Sequence, residues 1–120
     1  MGTYSIIEHK GKHIVLNDLS TSKDTEEAID TLNNTEAYIQ AQPLSSVLLV
    51  TDISDMNYDL HGVEAMKNFS AAITPRIKAS CVVGVTGIKG VIYRSVVRIT
   101  GRNIMTIDTR ENALDWLAAQ

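Results

Sequence analysis

Residues Val47-Leu48-Leu49-Val50 form an unbroken apolar run. Through Thr51, Asp52 and Ile53 it passes into an acidic, hydroxyl-bearing loop, and a helical pattern starts at Leu60. An apolar run of this length suits a strand buried on both faces, as in a parallel sheet. Loops at the carboxyl ends of such strands are where open α/β folds place their ligands. The stretch from Val47 to Gly62 therefore constrains the fold and says where to look for a site, without saying what binds there.

The rest of the chain fits the same class. Asp24 to Gln42 reads as a helix, with Ala28, Leu32, Thr35 and Ile39 along one stripe and Glu26, Glu27, Asp30 and Glu36 mostly outside it; Pro43 stops it. Leu60 to Thr74 places Val63, Met66, Phe69 or Ser70, and Ile73 at helical spacing before Pro75. Lys78 to Val85 is a further apolar strand. Ahead of these, Tyr4 to Glu8 and His13 to Leu19 flank His9-Lys10-Gly11-Lys12, a tight-turn signal that predicts a hairpin. Ile88 to Thr100 carries a helical stripe (Ile88, Val91, Ile92, Val96, Ile99) against a β-branched content that favours a strand; it is read as a helix, closed by Gly101. Ile104 to Ile107 is a short strand. Asp108 with Glu111 gives an N-capping pattern of the capping-box type before a last helix with Ala113, Leu114, Trp116 and Leu117 on its apolar face. The order is ββαβαβαβα. It predicts an α/β fold with one mixed, largely parallel sheet, an N-terminal β-hairpin and helices packed on it. The 120 residues are expected to form a single domain over 1–120.

Composition narrows the function classes. A hydrophobic fraction of 44% and a charged fraction of 21% predict a folded globular chain. The single cysteine, Cys81, excludes an internal disulfide framework and a cysteine-rich zinc site; within Cys81-Val82-Val83 it reads as a buried, inert thiol. No apolar stretch reaches signal-peptide or membrane-span length, so a cytoplasmic setting is expected. An acidic balance, sequence pI about 5.5, and an aromatic content of 5% speak against nucleic-acid binding. The net charge of −3 divides unevenly: residues 1–74 carry four Lys/Arg and eleven Asp/Glu (−7), residues 75–120 seven and three (+4). Opposite-signed halves, or an exposed sheet edge at the opening hairpin, could support a homodimer.

This order, with the strand–loop–helix around residues 47–70, resembles the STAS family, named for sulfate transporters and antagonists of anti-sigma factors. Its members bear a phosphorylatable serine in an Asp-Ser-Ser-Gly motif at the start of the helix after the central strand. Here Asp59-Leu60-His61-Gly62 stands in that place, with the aspartate and glycine matching and both serines absent. The chain is more similar to a bacterial STAS-like subgroup related to the lipid-transfer CRAL-TRIO domains. That likeness rests on Lys78-Ala79-Ser80-Cys81-Val82-Val83-Gly84-Val85 and on Asp108-Thr109-Arg110-Glu111-Asn112-Ala113-Leu114-Asp115-Trp116-Leu117. The resemblance implies a regulatory, non-enzymatic module that binds a protein partner, or alternatively a domain holding a small apolar or lipid-like ligand between helix and sheet.

Candidate sites follow the motifs. Asp52, Asp55 and Asp59 could converge on a hard cation, but no ligand spacing matches a dedicated motif, and no metal or cofactor is expected. Ser54, Asp59 and His61 hold the residue types of a hydrolytic triad, yet neighbours on one helix turn rarely meet its geometry and no nucleophile elbow is present, so no catalytic residue is assigned. Instead Ser54, Asp55, Asp59, Leu60, His61 and Gly62 are expected to form a partner-binding loop, with Asp59 capping the helix. Gly87 and Lys89, in Gly84-Val85-Thr86-Gly87-Ile88-Lys89-Gly90, form a possible anion site at a helix start. Arg94 and Arg98, four apart, share a helix face.

Overall fold

The structure is a computed structural model. It describes residues 3–22, 24–54, 59–85, 93, 94, 97, 98, 100, 101 and 104–120. A five-stranded sheet runs in the order β1 (Thr3–His9), β2 (Lys12–Asp18), β3 (Val47–Asp52), β4 (Ile77–Val83) and β5 (Met105–Ile107). β1 and β2 pair antiparallel in unbroken register from Thr3↔Asp18 to His9↔Lys12; every later pair is parallel. The α/β class, the mixed sheet and the opening hairpin are as the sequence predicts. The hairpin closes on Lys10 and Gly11, both at positive φ (50° and 80°), the two-residue turn whose twist matches that of the strands.

Three helices with defined bounds pack on the sheet: α1 (Thr25–Gln40), α2 (Leu60–Ile73) and α3 (Arg110–Ala118). Asp24 caps α1 by accepting from Glu27 N at 2.9 Å, and Ala28, Leu32, Thr35 and Ile39 are buried along the predicted stripe. A 3-10 turn, Thr74–Arg76, carries Pro75 and leads into β4. Of 88–100, the described residues Tyr93, Arg94, Val97, Arg98 and Thr100 are helical; the remainder of that expected helix lies outside the described residues. The cap of α3 sits one residue later than the capping-box reading places it. Thr109 Oγ1 accepts from Asn112 N at 3.1 Å, and Asp108 Oδ1 accepts from Asn112 Nδ2 at 3.0 Å. Threonine and aspartate are both good caps, so adjacent candidates leave the position open by one residue.

Successive right-handed crossovers that advance in one direction put α1 and α2 on the same face. There Val15, Leu19, Leu32, Ile39, Leu49, Phe69 and Ile73 share one apolar cluster. The opposite face, with Ile14, Leu16, Leu48, Val50, Cys81 and Val83, is covered by Ala113 and Leu117 of α3. α3 runs from the carboxyl rim of the strands back to their amino rim, where the backbone carbonyl of Gln120 accepts from Lys12 Nζ and Lys78 Nζ, each at 3.4 Å. Among the described residues no helix is long and apolar enough to cross a membrane.

Candidate functional site at the carboxyl rim

β2 and β3 end in aspartates, Asp18 and Asp52, and backbone hydrogen bonds tie the ends of neighbouring strands together. Leu19 N donates to Asp52 O at 3.0 Å and Ile53 N to Val83 O at 2.9 Å. Gly84, at φ +94°, lies so close to the chain after β3 that a Cβ there would stand 2.6 Å from both Ser54 N and Ser54 Oγ. A side chain at this position is excluded by both conformation and space.

On this rim Arg110, the first residue of α3, grips two strand-end carboxylates. Its Nε donates to Asp52 Oδ2 at 2.5 Å and its terminal nitrogen to Asp18 Oδ1 at 2.9 Å. Asp18 Oδ1 also accepts from Ser20 N at 3.0 Å and Ser20 Oγ at 2.5 Å, and Asp52 Oδ1 from Ser54 N at 2.9 Å. Burial pushes the Asp52 carboxyl up. The Arg110 hydrogen bond, the Ser54 N–H and hydroxyl, and the guanidinium charge outweigh that and hold it below the ordinary carboxylate range. Arg110 is held upward, first by its bond to Asp52. The clamp joins elements distant in sequence, and periodicity carries no sign of it. One signal was available. A cation in the first turn of a helix faces the positive end of the dipole, so Arg110 needs a carboxylate partner to sit there comfortably.

The proposed partner loop divides on this geometry. Asp59 caps α2, its Oδ1 accepting from Gly62 N at 2.9 Å. That bond first, joined by the Thr25 hydroxyl and the nearby His61, outweighs the upward push of desolvation and holds its carboxyl low. Gly62 is buried against α1, where a Cβ would meet Thr25 Cγ2 at 3.3 Å. Both residues serve the packing of α2 on α1. Leu60 is 78% exposed, the highest value among the exposed large apolar side chains described, and His61 beside it is exposed too. Ser54 is half-buried against Gly84 and gives its hydroxyl to Asp52, not to a histidine. Asp55, Gly87 and Lys89 lie outside the described residues.

Asp52 is therefore committed to Arg110 and Ser54, and Asp59 to the helix start. Among the described residues no group of three His, Cys, Asp or Glu side chains could hold a metal ion. Cys81 is buried, and burial pushes its thiol up to about 12. The described strand order never reverses, so the crevice that a reversal opens in doubly wound folds is not built here. The concave features are smaller. An apolar cavity of about 50 Å³ lies beneath α2, lined by Leu32, Leu49, Met66, Phe69, Tyr93 and Ile104 among others, and a shallow surface groove runs beside Gly84 and Asp108. Comparison with protein-family models, curated proteins and solved structures finds no match to this chain.

Proposed function

We propose that this chain is a STAS-like module that acts by binding another protein, without catalysis of its own, in a cytoplasmic setting. The contact surface is the carboxyl rim at the start of α2, with Leu60 at its centre and His61 and Ser54 beside it. The observation that carries this reading is the exposure of Leu60: a leucine 78% exposed on the first turn of a helix whose start is fixed by Asp59. Burying such a side chain in a partner is worth about 2 kcal/mol, and the capped helix presents it already ordered. An opening hairpin followed by strand–helix alternation in one mixed sheet is also what the STAS-like resemblance calls for, and a rim without a crevice suits a protein surface better than a small polar substrate.

Affinity capture from cells carrying the natural gene tests it, with wild type beside Leu60→Asp and, as a control, Leu44→Asp, since Leu44 is 66% exposed. Partners retained by wild type and Leu44→Asp are expected to be lost with Leu60→Asp. Equal recovery by all three would remove the rim from consideration.

The cavity beneath α2 favours a second reading, a small apolar ligand held between helix and sheet. Its volume of about 50 Å³ admits a few water-sized groups, far less than an acyl chain, so a lipid-like occupant requires α2 to move outward. Native mass spectrometry of protein purified from cells decides: a persistent added mass supports this reading, and repeatedly empty protein counts against it.

A further inference from the structure

The two lateral edges of the sheet are unlike. β5 is three residues long, a common way to blunt an edge. β1 is seven residues long, is paired on one side only among the described residues, and keeps an unbroken register with β2 from end to end. It has no proline, no bulge and no lysine within the strand, and its one carboxylate, Glu8, lies next to the turn end, so the edge is only lightly protected. Ile6, at its midpoint, is one of the four exposed large apolar side chains described.

The hairpin fixes which backbone groups face outward. In a two-residue hairpin the closing pair, here His9↔Lys12, is the hydrogen-bonded one, and bonded and non-bonded pairs then alternate along the ladder. Residues 9, 7, 5 and 3 therefore address β2, and the N–H and C=O of Ile6 and Glu8 point away from it. The side chains of these outward-bonding residues lie on the α1 face, because Ile6 stands opposite Val15 and Glu8 opposite His13.

We infer that β1 pairs antiparallel with β1 of a second copy about a twofold axis through Ile6, joining two five-stranded sheets into one of ten. The strand is self-complementary in this register. Ile6 meets Ile6 of the second copy in a hydrogen-bonded pair, covering the exposed apolar side chain on both sides. Glu8 falls opposite Tyr4 of the second copy, so no like charges face each other across the seam. The twofold axis is perpendicular to the sheet and keeps both α1 helices on one face. α1 carries Glu26, Glu27, Asp30 and Glu36 and no basic residue, so the two helices repel at a distance and salt strengthens the dimer. That sign separates it from head-to-tail association of the acidic α1 with the exposed Arg94 and Arg98, which salt weakens.

Sedimentation velocity over a concentration series at about 0.05 and 0.5 M salt tests the pairing. Wild type is expected at twice the 13.2 kDa protomer mass, more completely at high salt. Glu8→Pro removes an outward N–H that the hairpin does not use; it is expected to keep its far-UV circular dichroism and sediment as a monomer. Ile6→Cys supplies an independent readout. Cα atoms of a hydrogen-bonded antiparallel pair are about 5.5 Å apart, within disulfide reach, so mild oxidation is expected to join Cys at this position to its own copy while buried Cys81 stays reduced. A wild-type monomer throughout the series, a dimer that loosens with salt, or an Ile6→Cys dimer that does not cross-link would each overturn the inference. Leu60→Asp is expected to leave the dimer intact, which keeps this result separate from that for the partner-binding rim.

Discussion

On the face covered by α1 and α2, apolar side chains from two long helices and from β1 to β4 interlock in one cluster. The opposite face is covered by the nine residues of α3, whose buried anchors are Ala113 and Leu117. A helix that short spans about 14 Å and contributes few apolar contacts, so its placement depends on its ends. At the carboxyl rim Arg110 holds Asp52 and Asp18; along its length Asp115 receives His9 Nε2 at 2.7 Å and Lys10 Nζ at 3.1 Å. Apolar area fixes the first face. The second relies on charge to position an element that packing alone holds weakly.

The sharpest way to break this comparison is a matched pair of core truncations. Leu117→Ala and Leu32→Ala each remove a buried leucine and are expected to cost about 3 kcal/mol. They should differ in kind. Losing Leu117 should raise amide exchange in 110–118 well before the rest of the chain opens, whereas Leu32→Ala should lower protection throughout. Identical exchange patterns would mean that α3 is no more weakly held than α1. Next comes Gly84→Ala, where both faces meet the rim. The positive φ and the 2.6 Å approach to Ser54 make about 2 kcal/mol the expected loss, read as a lowered urea midpoint. A neutral substitution would show that the rim can spread at little cost.

The contrast between the faces also explains what the sequence made legible. Regular burial leaves a periodic trace: the stripe of α1, the buried runs of β3 and β4, and the Lys10-Gly11 turn are local patterns, and the structure follows them within a residue or two. The side chains of the rim are different. Asp59 read as the cap of α2 and is one, whereas Asp52 read only as a strand-end carboxylate beside Asp55 and Asp59 and is buried beneath Arg110. The role of Asp52 is set by a pairing across 58 residues, and no local spacing encodes it. Gly62 likewise read as part of a contact surface, whereas its lack of a side chain is used against Thr25 of α1.

Arg110→Met should come third. It leaves Asp52, whose side chain is 6% exposed, with its Ser54 bonds but without its counter-charge. Because Arg110 itself is 42% exposed, solvent already screens the pair, and about 1–2 kcal/mol is the expected loss. The sign with pH follows from the lowered carboxyl. Its folded value lies below its unfolded value of about 3.9, so the stabilisation is complete above that value and is lost as pH falls through the folded value. Wild type and Arg110→Met should therefore converge in urea midpoint on acidification. A difference that persists undiminished through the acid range would mean that Arg110 acts by packing and not by charge.

The smallest effect is expected at the other attachment of α3. The Asp115 carboxyl is also held low, first by its hydrogen bond from His9, then by Lys10, so direction alone would rank it with Asp52. Exposure separates them: the Asp115 side chain is 44% exposed, and water and salt replace its partners readily when they are removed. Asp115→Asn should leave the urea midpoint close to wild type at physiological salt, and the residual difference should vanish at about 0.5 M. If Asp115→Asn destabilised the chain as much as Arg110→Met, and did so independently of salt, α3 would be held at its exposed attachment as firmly as at its buried one. The second face would then be fixed along its whole length and not chiefly at the rim.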